Sequence, residues 1–412
     1  MLKSYRYLLL AFIVMMPFVD VFSFSPWTPI PLLICFVLLC YGKKNFPKIH
    51  FQLSDGLFLL SILFMLLPLL FEISLINGKT VRHILGFSLP FIFYYLVVKE
   101  ALLDTIVSEV SYRLLFKTMS ISLLIVSVFI IFEFVLDNIF SFNIDALIKH
   151  SGDKEYVAET AGRVLRARGF ASESGVTALF YEVLFFPSII YVKHKTKLFR
   201  IIYFTLIGSA FAMLFSSAGF VVMSLSLGYL FLARFKFSLF GLSIITIVSV
   251  LLFNYLFEFI QLFYNETFLD KLSLLTGNVS AGSSFERATI FMNLYELIKE
   301  YPFGIGMGMP QGLSEAGATY NGYAVSSGYI SLYGVILAYG GLLSLGFFVS
   351  AMLFKLRSVI KISENYFLFV ASAIAVYLHF GFVAEYWLPF FWFFIALLDF
   401  EAIYTKRHKL NV

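Results

Sequence analysis

The chain alternates long apolar runs with short charged breaks. The runs fall at 7–24, 27–41, 56–72, 84–98, 114–136, 174–192, 201–215, 218–233, 237–257, 329–354, 366–384 and 386–404. Each has about 15 residues or more, enough for a helix to cross a bilayer, the shorter ones with help from snorkelling flanks. The pattern predicts an all-α polytopic membrane protein, one transmembrane domain over 1–412 with about 12 transmembrane helices. The thinnest break is inside 201–233, where Ser216, Ser217 and Gly219 alone separate two runs. Between 99 and 113, Leu102, Leu103, Ile106, Val107 and Val110 form an apolar stripe at helical spacing, opposite Lys99, Asp104, Glu109 and Arg113. That segment reads as a helix lying on the membrane surface.

Composition agrees with the pattern. Hydrophobic residues are 60% of the 412, charged residues 13%, and mean hydropathy is +0.90. Soluble domains carry about 25% charged residues, so this chain has too little polar surface to face water. The net charge of +5 is scattered over short loops, which argues against a nucleic-acid partner. Cys35 and Cys40 lie five apart in one run, on different sides of a helix, and read as free thiols. Lys3 and Arg6 precede an apolar stretch as in a signal peptide, but no small-residue cleavage site follows and further spans do. The stretch reads as the first helix.

Charge sets an orientation. With the N-terminus in the cytoplasm and strict alternation, twenty of the 30 basic residues fall in inner segments, and every inner segment is basic. Both termini are then cytoplasmic. The other ten, including Lys79, Arg82, Arg163, Arg166, Arg168 and Arg287, sit on the outer side, mostly in two long loops at 137–173 and 258–328. Loops of that length, on one side of a chain that elsewhere connects helices briefly, are expected to have work to do.

Arg163, Arg166 and Arg168 cluster ahead of the 174–192 run, and the arginine fork matches phosphate oxygens. They read as an anion site or as contacts to anionic lipid headgroups. Glu173 leads into the apolar helix, where it either pairs with one of these arginines or acts on a substrate. In the second loop Ser283 and Glu286 form a capping box for an amphipathic helix that should run to about Glu300. Its stripe is Phe285, Ala288, Phe291, Met292, Tyr295 and Ile298. Arg287 stands in its first turn against the helix dipole, a position that a bound anion would explain. The following Pro302, Gly304, Gly306 and Gly308 read as a flexible, backbone-exposing turn. No strand precedes it and no Lys-Ser/Thr follows, so it is not a nucleotide loop. The six histidines have no metal-ligand spacing. His379 and Glu385 are either a proton relay or a satisfied pair within the bundle.

Three stretches together resemble the O-antigen polymerase and ligase superfamily (Wzy and WaaL) of bacterial polysaccharide assembly. They are RARGFASESGVTALFYEVLFFP (166–187), SSAGFVVMSLSLGYLFLARF (216–235), and FERATIFMNLYELIKEYPFGIGMG (285–308) followed by SSGYISLYGVILAYGGLLSLGFF (326–348). The likeness covers roughly 160–350. The Arg of the family's Ser-Arg-Gly turn is absent, with Ser217 and Ala218 there. The ligase-like His-Asn is also missing, with Ser326 and Ser327 in that region. Both departures favour polymerase over ligase. The resemblance implies a glycosyltransferase of the inner membrane that acts on undecaprenyl-pyrophosphate-linked oligosaccharide with no cofactor and no metal. A chain-length regulator protein is an implied partner, and membrane lipids surround the protein. Arg166, Arg168, Arg287 and Arg163 are the candidates to hold the pyrophosphates, Arg287 also to assist catalysis, and Glu173 to activate the acceptor hydroxyl. Tyr320 and Tyr323 are sugar-stacking or interfacial residues. A polyprenyl-linked-sugar flippase or transporter is the competing class. It would distribute charges along the bundle interior and relate its halves by a repeat, and no repeat is visible in the sequence.

Overall fold

In the structure, a computed structural model, residues 2–21, 29–42, 50–71, 76–142, 144, 160–161, 164–234, 294–295, 297–308, 319–320, 323–324 and 331–410 are described. Their helices are α1 (Leu2–Met15), α2 (Ile30–Gly42), α3 (Leu53–Leu66), α4 (Gly78–Pro90), α5 (Val98–Thr105) and α6 (Glu109–Ile139). After these come α7 (Ser174–Val192), α8 (Lys197–Met213), α9 (Ser217–Arg234), α10 (Leu332–Ile362), α11 (Tyr366–His379) and α12 (Pro389–Leu410). A 3₁₀ turn, Leu67–Leu70, extends α3, and a π-helical stretch, Phe91–Val97, joins α4 to α5. Two hairpins of two-residue strands, Thr160–Ala161 with Val164–Leu165 and Thr319–Tyr320 with Tyr323–Ala324, are the described β-structure.

Helices overlie every predicted apolar run except 237–257, which lies outside the described residues. Among the described residues five helical stretches are long and apolar enough to cross a membrane: Leu53–Leu70, Thr80–Thr105, Glu109–Ile139, Ser174–Val192 and Leu332–Ile362. The chain is thus a helical protein of the kind that spans membranes. The break between α8 and α9 is where the sequence puts it, at Phe215 with φ 48°. Side chains cap the helix starts: Ser108 accepts from Ser111 N, Thr196 from Phe199 N and Ser331 from Gly334 N. Aromatic packing fills the centre, where fully buried Trp392 meets Phe58, Phe87, Phe91, Phe348 and Phe391. The indole N–H is satisfied by the Tyr386 carbonyl at 2.8 Å. Cys35 is buried, Cys40 exposed, and both are free.

Three segments differ from the sequence reading. Residues 99–113 are not one surface helix. α5 continues the preceding helix and stops at Thr105, and Ser108 starts α6. Lys99, Leu102, Leu103 and Ile106 are buried, while Val107 and Val110 are exposed. At the described end of the second-loop helix, Leu294 and Leu297 are buried and Tyr295 is 65% exposed, so the packed face is rotated from the expected stripe.

The third difference is the glycine turn, which is pinned rather than flexible. Residues 304–308 are buried. Ile305 N donates to Ala338 O at 2.9 Å, Gly306 N to Tyr339 O at 3.0 Å and Met307 N to Met65 O at 3.0 Å. Those α10 carbonyls are within reach because the helix breaks at Gly341, φ 68° and ψ −167°. A Cβ on Gly341 would lie 2.0 Å from Pro302 O and 2.6 Å from Phe303 Cα. Both contacts are to backbone that cannot move aside. Gly341→Ala is therefore expected to cost about 3 kcal/mol or more, read as a lower melting temperature of the purified protein. Gly346→Ala, in the same helix with open space around it, is expected to be neutral or stabilising.

Candidate functional site

The 165–177 loop is built from below by carboxylates and an amide. Asn138, at the end of α6, brackets Leu165, donating to its carbonyl at 3.0 Å and accepting from its N–H at 2.8 Å. One turn and a half earlier, buried Glu133 accepts from Arg168 N at 2.9 Å and Gly169 N at 2.8 Å. Two successive N–H groups with Gly169 at φ 67° make a small nest around that carboxylate. Ala167 N donates to Met213 O, Ser172 N to Asp20 Oδ2 at 2.8 Å, and Thr177 Oγ1 to Arg168 O. Phe170 stacks between Phe18 and Phe129, with centroids at 4.3 and 4.1 Å. The loop is fixed by its backbone, and its side chains stand on a rigid base.

On this base Arg168 is buried, its Nη1 donating to Ser172 O at 3.0 Å, and Arg166 is half-buried. Glu173 is exposed at the N-cap of α7, and its side chain makes no capping bond. Among the described residues it pairs with neither Arg166 nor Arg168, and Arg163, the third arginine that the sequence offered it, lies outside them. Arg166, Arg168 and Glu173 therefore share one short loop. Arg163 and Arg287 lie outside the described residues, as do Ser283 and Glu286.

At the same end of the bundle one helix stops short. Glu182 is eight residues into α7, about 12 Å below its start. His379, the last residue of α11, bonds to it, Nδ1 to Oε1 at 2.6 Å. α11 thus ends deep, and at 14 residues it is about 21 Å long against a hydrocarbon core of about 30 Å. The predicted span 366–384 stops at 379, and irregular chain at 380–388 fills the gap. Leu332 N, at the start of α10, donates to Phe380 O and Val383 O at 3.0 and 2.8 Å. The break at Gly341 and the inserted glycine turn belong to α10 as well. Non-helical backbone at membrane depth is tolerated where it is buried in protein or lines a watery cavity, and here Phe380, Tyr386 and Leu388 are buried.

Glu385, in the irregular chain, is half-buried with its Oε2 covered, and that covering pushes its carboxyl above the usual range. The Glu173 charge pushes it the same way, while His379 opposes the shift. Tyr386 beside it bonds to His83 Nδ1, and Tyr339 OH lies 3.5 Å from the same nitrogen.

A second polar centre was not singled out from the sequence. Lys355 Nζ donates to Asp55 Oδ1 and Asp399 Oδ2, both at 2.7 Å, and to Tyr95 OH at 2.6 Å. Lys99 Nζ donates to Asp55 Oδ2 at 2.7 Å and His50 O at 2.9 Å. All four charged side chains are 0 to 2% exposed. Two lysines and two aspartates from α3, α5, α10 and α12 thus cancel one another. The signal for them, and for Glu133 and Glu182, was their position inside or at the edge of apolar runs, where an ionisable side chain needs a partner.

The opposite end gathers the segments with the predicted inner charges. Glu109, Arg113, Lys193, Lys195, Glu364, Asn365 and Lys409 line a cavity of about 930 Å³ there. This cavity is open, and charged groups in its lining are already bonded to their neighbours. Arg113 pairs with Glu109 at 2.5 Å, and Lys193 donates to Asn365 at 3.0 Å. Among the described residues no group of His, Cys, Asp and Glu could hold a metal ion. No protein-family model matches the chain, and no curated protein matches it.

Proposed function

We propose that this chain is a membrane glycosyltransferase that polymerises undecaprenyl-pyrophosphate-linked oligosaccharide repeats of O-antigen or capsule. In this reading it works at the outer face of the bacterial inner membrane, with about 12 transmembrane helices, both termini cytoplasmic, and outer loops at 137–173 and 258–328. The observation that carries the reading is the rigid loop that holds Arg166, Arg168 and an exposed Glu173, unpaired among the described residues, on one short segment. The resemblance in 160–350 adds the substrate class.

The chemistry divides as follows. The donor's C1–O bond to pyrophosphate breaks with its electron pair going to the leaving oxygen. Arg166 and Arg168, with Arg163 and Arg287 from the flanking segments, meet the growing negative charge. A carboxylate takes the acceptor hydroxyl's proton as its oxygen bonds to C1. Glu173 is the exposed carboxylate for that step. Arginine serves in place of a metal because its fork binds phosphate oxygens at two points and stays charged at every working pH.

A second reading, transport of a polyprenyl-linked sugar, draws on the buried Glu182–His379 pair and the Lys355 cluster, since charges inside the bundle are what transport requires. A deletion strain separates the two. The polymerase reading expects a surface acceptor bearing a single repeat unit, restored to long polymer by the gene in trans. An acceptor with no repeat at all would favour transport or ligation.

A further inference from the structure

We propose that the Glu182–His379 pair is a proton-binding site inside the bundle, loaded through Glu385 from the face that carries Glu173. The proposal stands apart from the sugar chemistry, since it concerns only protein groups.

The pair lies between α7 and α11, and both side chains are fully buried. Its position is locked by Ser372, two turns before His379 on α11, whose Oγ donates to the Glu182 carbonyl at 2.8 Å. A structural ion pair would satisfy its remaining polar atoms. Here Glu182 Oε2, His379 Nε2 and Glu385 Oε2 are all buried with no hydrogen-bond partner among the described residues. Three open ends in one region cost free energy, and they follow a line from the surface inward. Glu173 is exposed at the top of α7, Glu385 is half-buried within its electrostatic reach, and His379 and Glu182 are fully buried.

The charges fit a proton better than a metal or an anion. α7 packs against α6, α8, α9, α11 and α12. Among the described residues the one charged group on those helices that bears on Glu182 is His379. Those that bear on Glu385 are Glu173 and His379. With a neutral imidazole and an ionised carboxylate the pair is net −1. One added proton makes it neutral, the state that a low-dielectric interior favours. In the step, an O–H bond at Glu385 breaks and an N–H bond forms at His379 Nε2. Water carries the proton between them, since the two atoms are not in hydrogen-bond contact. The Nδ1 proton then stays on the imidazolium or passes to Glu182 Oε1, and Glu385 is refilled from water on the Glu173 face. Burial and the Glu173 charge both raise the proton affinity of Glu385, which suits a group that collects a proton from solvent and passes it on.

His379 Nε2 carries a proton in every loaded state and none in the unloaded one, so nitrogen NMR of histidine-labelled protein reads the site directly. The sample is the full chain in sealed lipid vesicles, its sidedness set by a C-terminal tag, and His379→Gln assigns the signal among the six histidines. Nε2 is expected to change between bare and protonated as the Glu173 face alone is acidified. Glu385→Gln is expected to abolish that response while His379 and Glu182 remain in place. A wild-type Nε2 that never changes, or that follows the opposite face, would overturn the proposal without any variant having to fold. An undiminished response in Glu385→Gln would overturn the route.

Discussion

Lys355→Met is expected to destabilise the fold by about 3 to 5 kcal/mol, the cost of leaving a buried charge without its counterion. Lys355 is the shared partner of Asp55, Asp399 and Tyr95. Without it Asp55 keeps Lys99 at 2.7 Å, whereas Asp399 has Lys99 only at 3.9 Å. The cluster goes from neutral to net −1 in a place where no water reaches it. Since a domain's whole net stability is about 5 to 15 kcal/mol, little folded protein should remain at growth temperature. Adding Asp399→Asn restores neutrality, and the double variant should recover part of the loss. Melting in detergent, followed by the monodisperse fraction, reads both. A single variant as stable as the wild type would mean that the cluster is hydrated, and its role as a clamp on four helices would be wrong.

The second large effect is on activity. Arg168→Ala and Arg287→Ala are each expected to lower polymer formation by about 100- to 1,000-fold, the usual loss for one preorganised donor at a developing charge. Arg168 is a fair test because the loop is held by Glu133, Asn138 and Asp20 through main-chain groups, which alanine retains. Protein abundance should stay close to wild type. Lysine at either position should rescue in part, keeping charge but losing the two-point grip. Arg287 lies outside the described residues, and the case for it is the sequence pattern, which predicts it in the first turn of a helix, where a nearby anion suits a cation. Normal polymer length in both alanine variants would remove the arginines from the chemistry.

The helices were legible because an apolar run must be buried or lie in lipid, and run length alone then bounds each element. The thin break at Ser216 was legible for the same reason. Depth was not. Run 366–384 is apolar to its end, and only the partner of His379, 197 positions away, reveals that α11 stops early. The glycine turn was read as flexible because glycine permits motion as readily as close packing. What decided between them was Gly341, whose missing Cβ admits Pro302 and Phe303. Lys99 was taken for the wet side of a surface helix because spacing shows which face a residue occupies and not what covers that face. Asp55 covers it. At the candidate site the arginines and Glu173 stood out as charges grouped in one outer loop. Glu133, which positions that loop, is one of three acids in the 31 residues of α6, and its partners there are backbone groups that no side-chain pattern records.

In the function proposed above, this chain by itself joins lipid-pyrophosphate-linked repeats through arginine rather than through a metal. The most direct measurement of this is the purified protein in lipid, given the lipid-linked repeat unit as both donor and acceptor in excess EDTA, with products resolved by length. The account predicts a ladder of extended chains and release of the lipid pyrophosphate in step with it. Repeat units left unextended by folded protein, or extended only after Mg²⁺ or Mn²⁺ is restored, would contradict it.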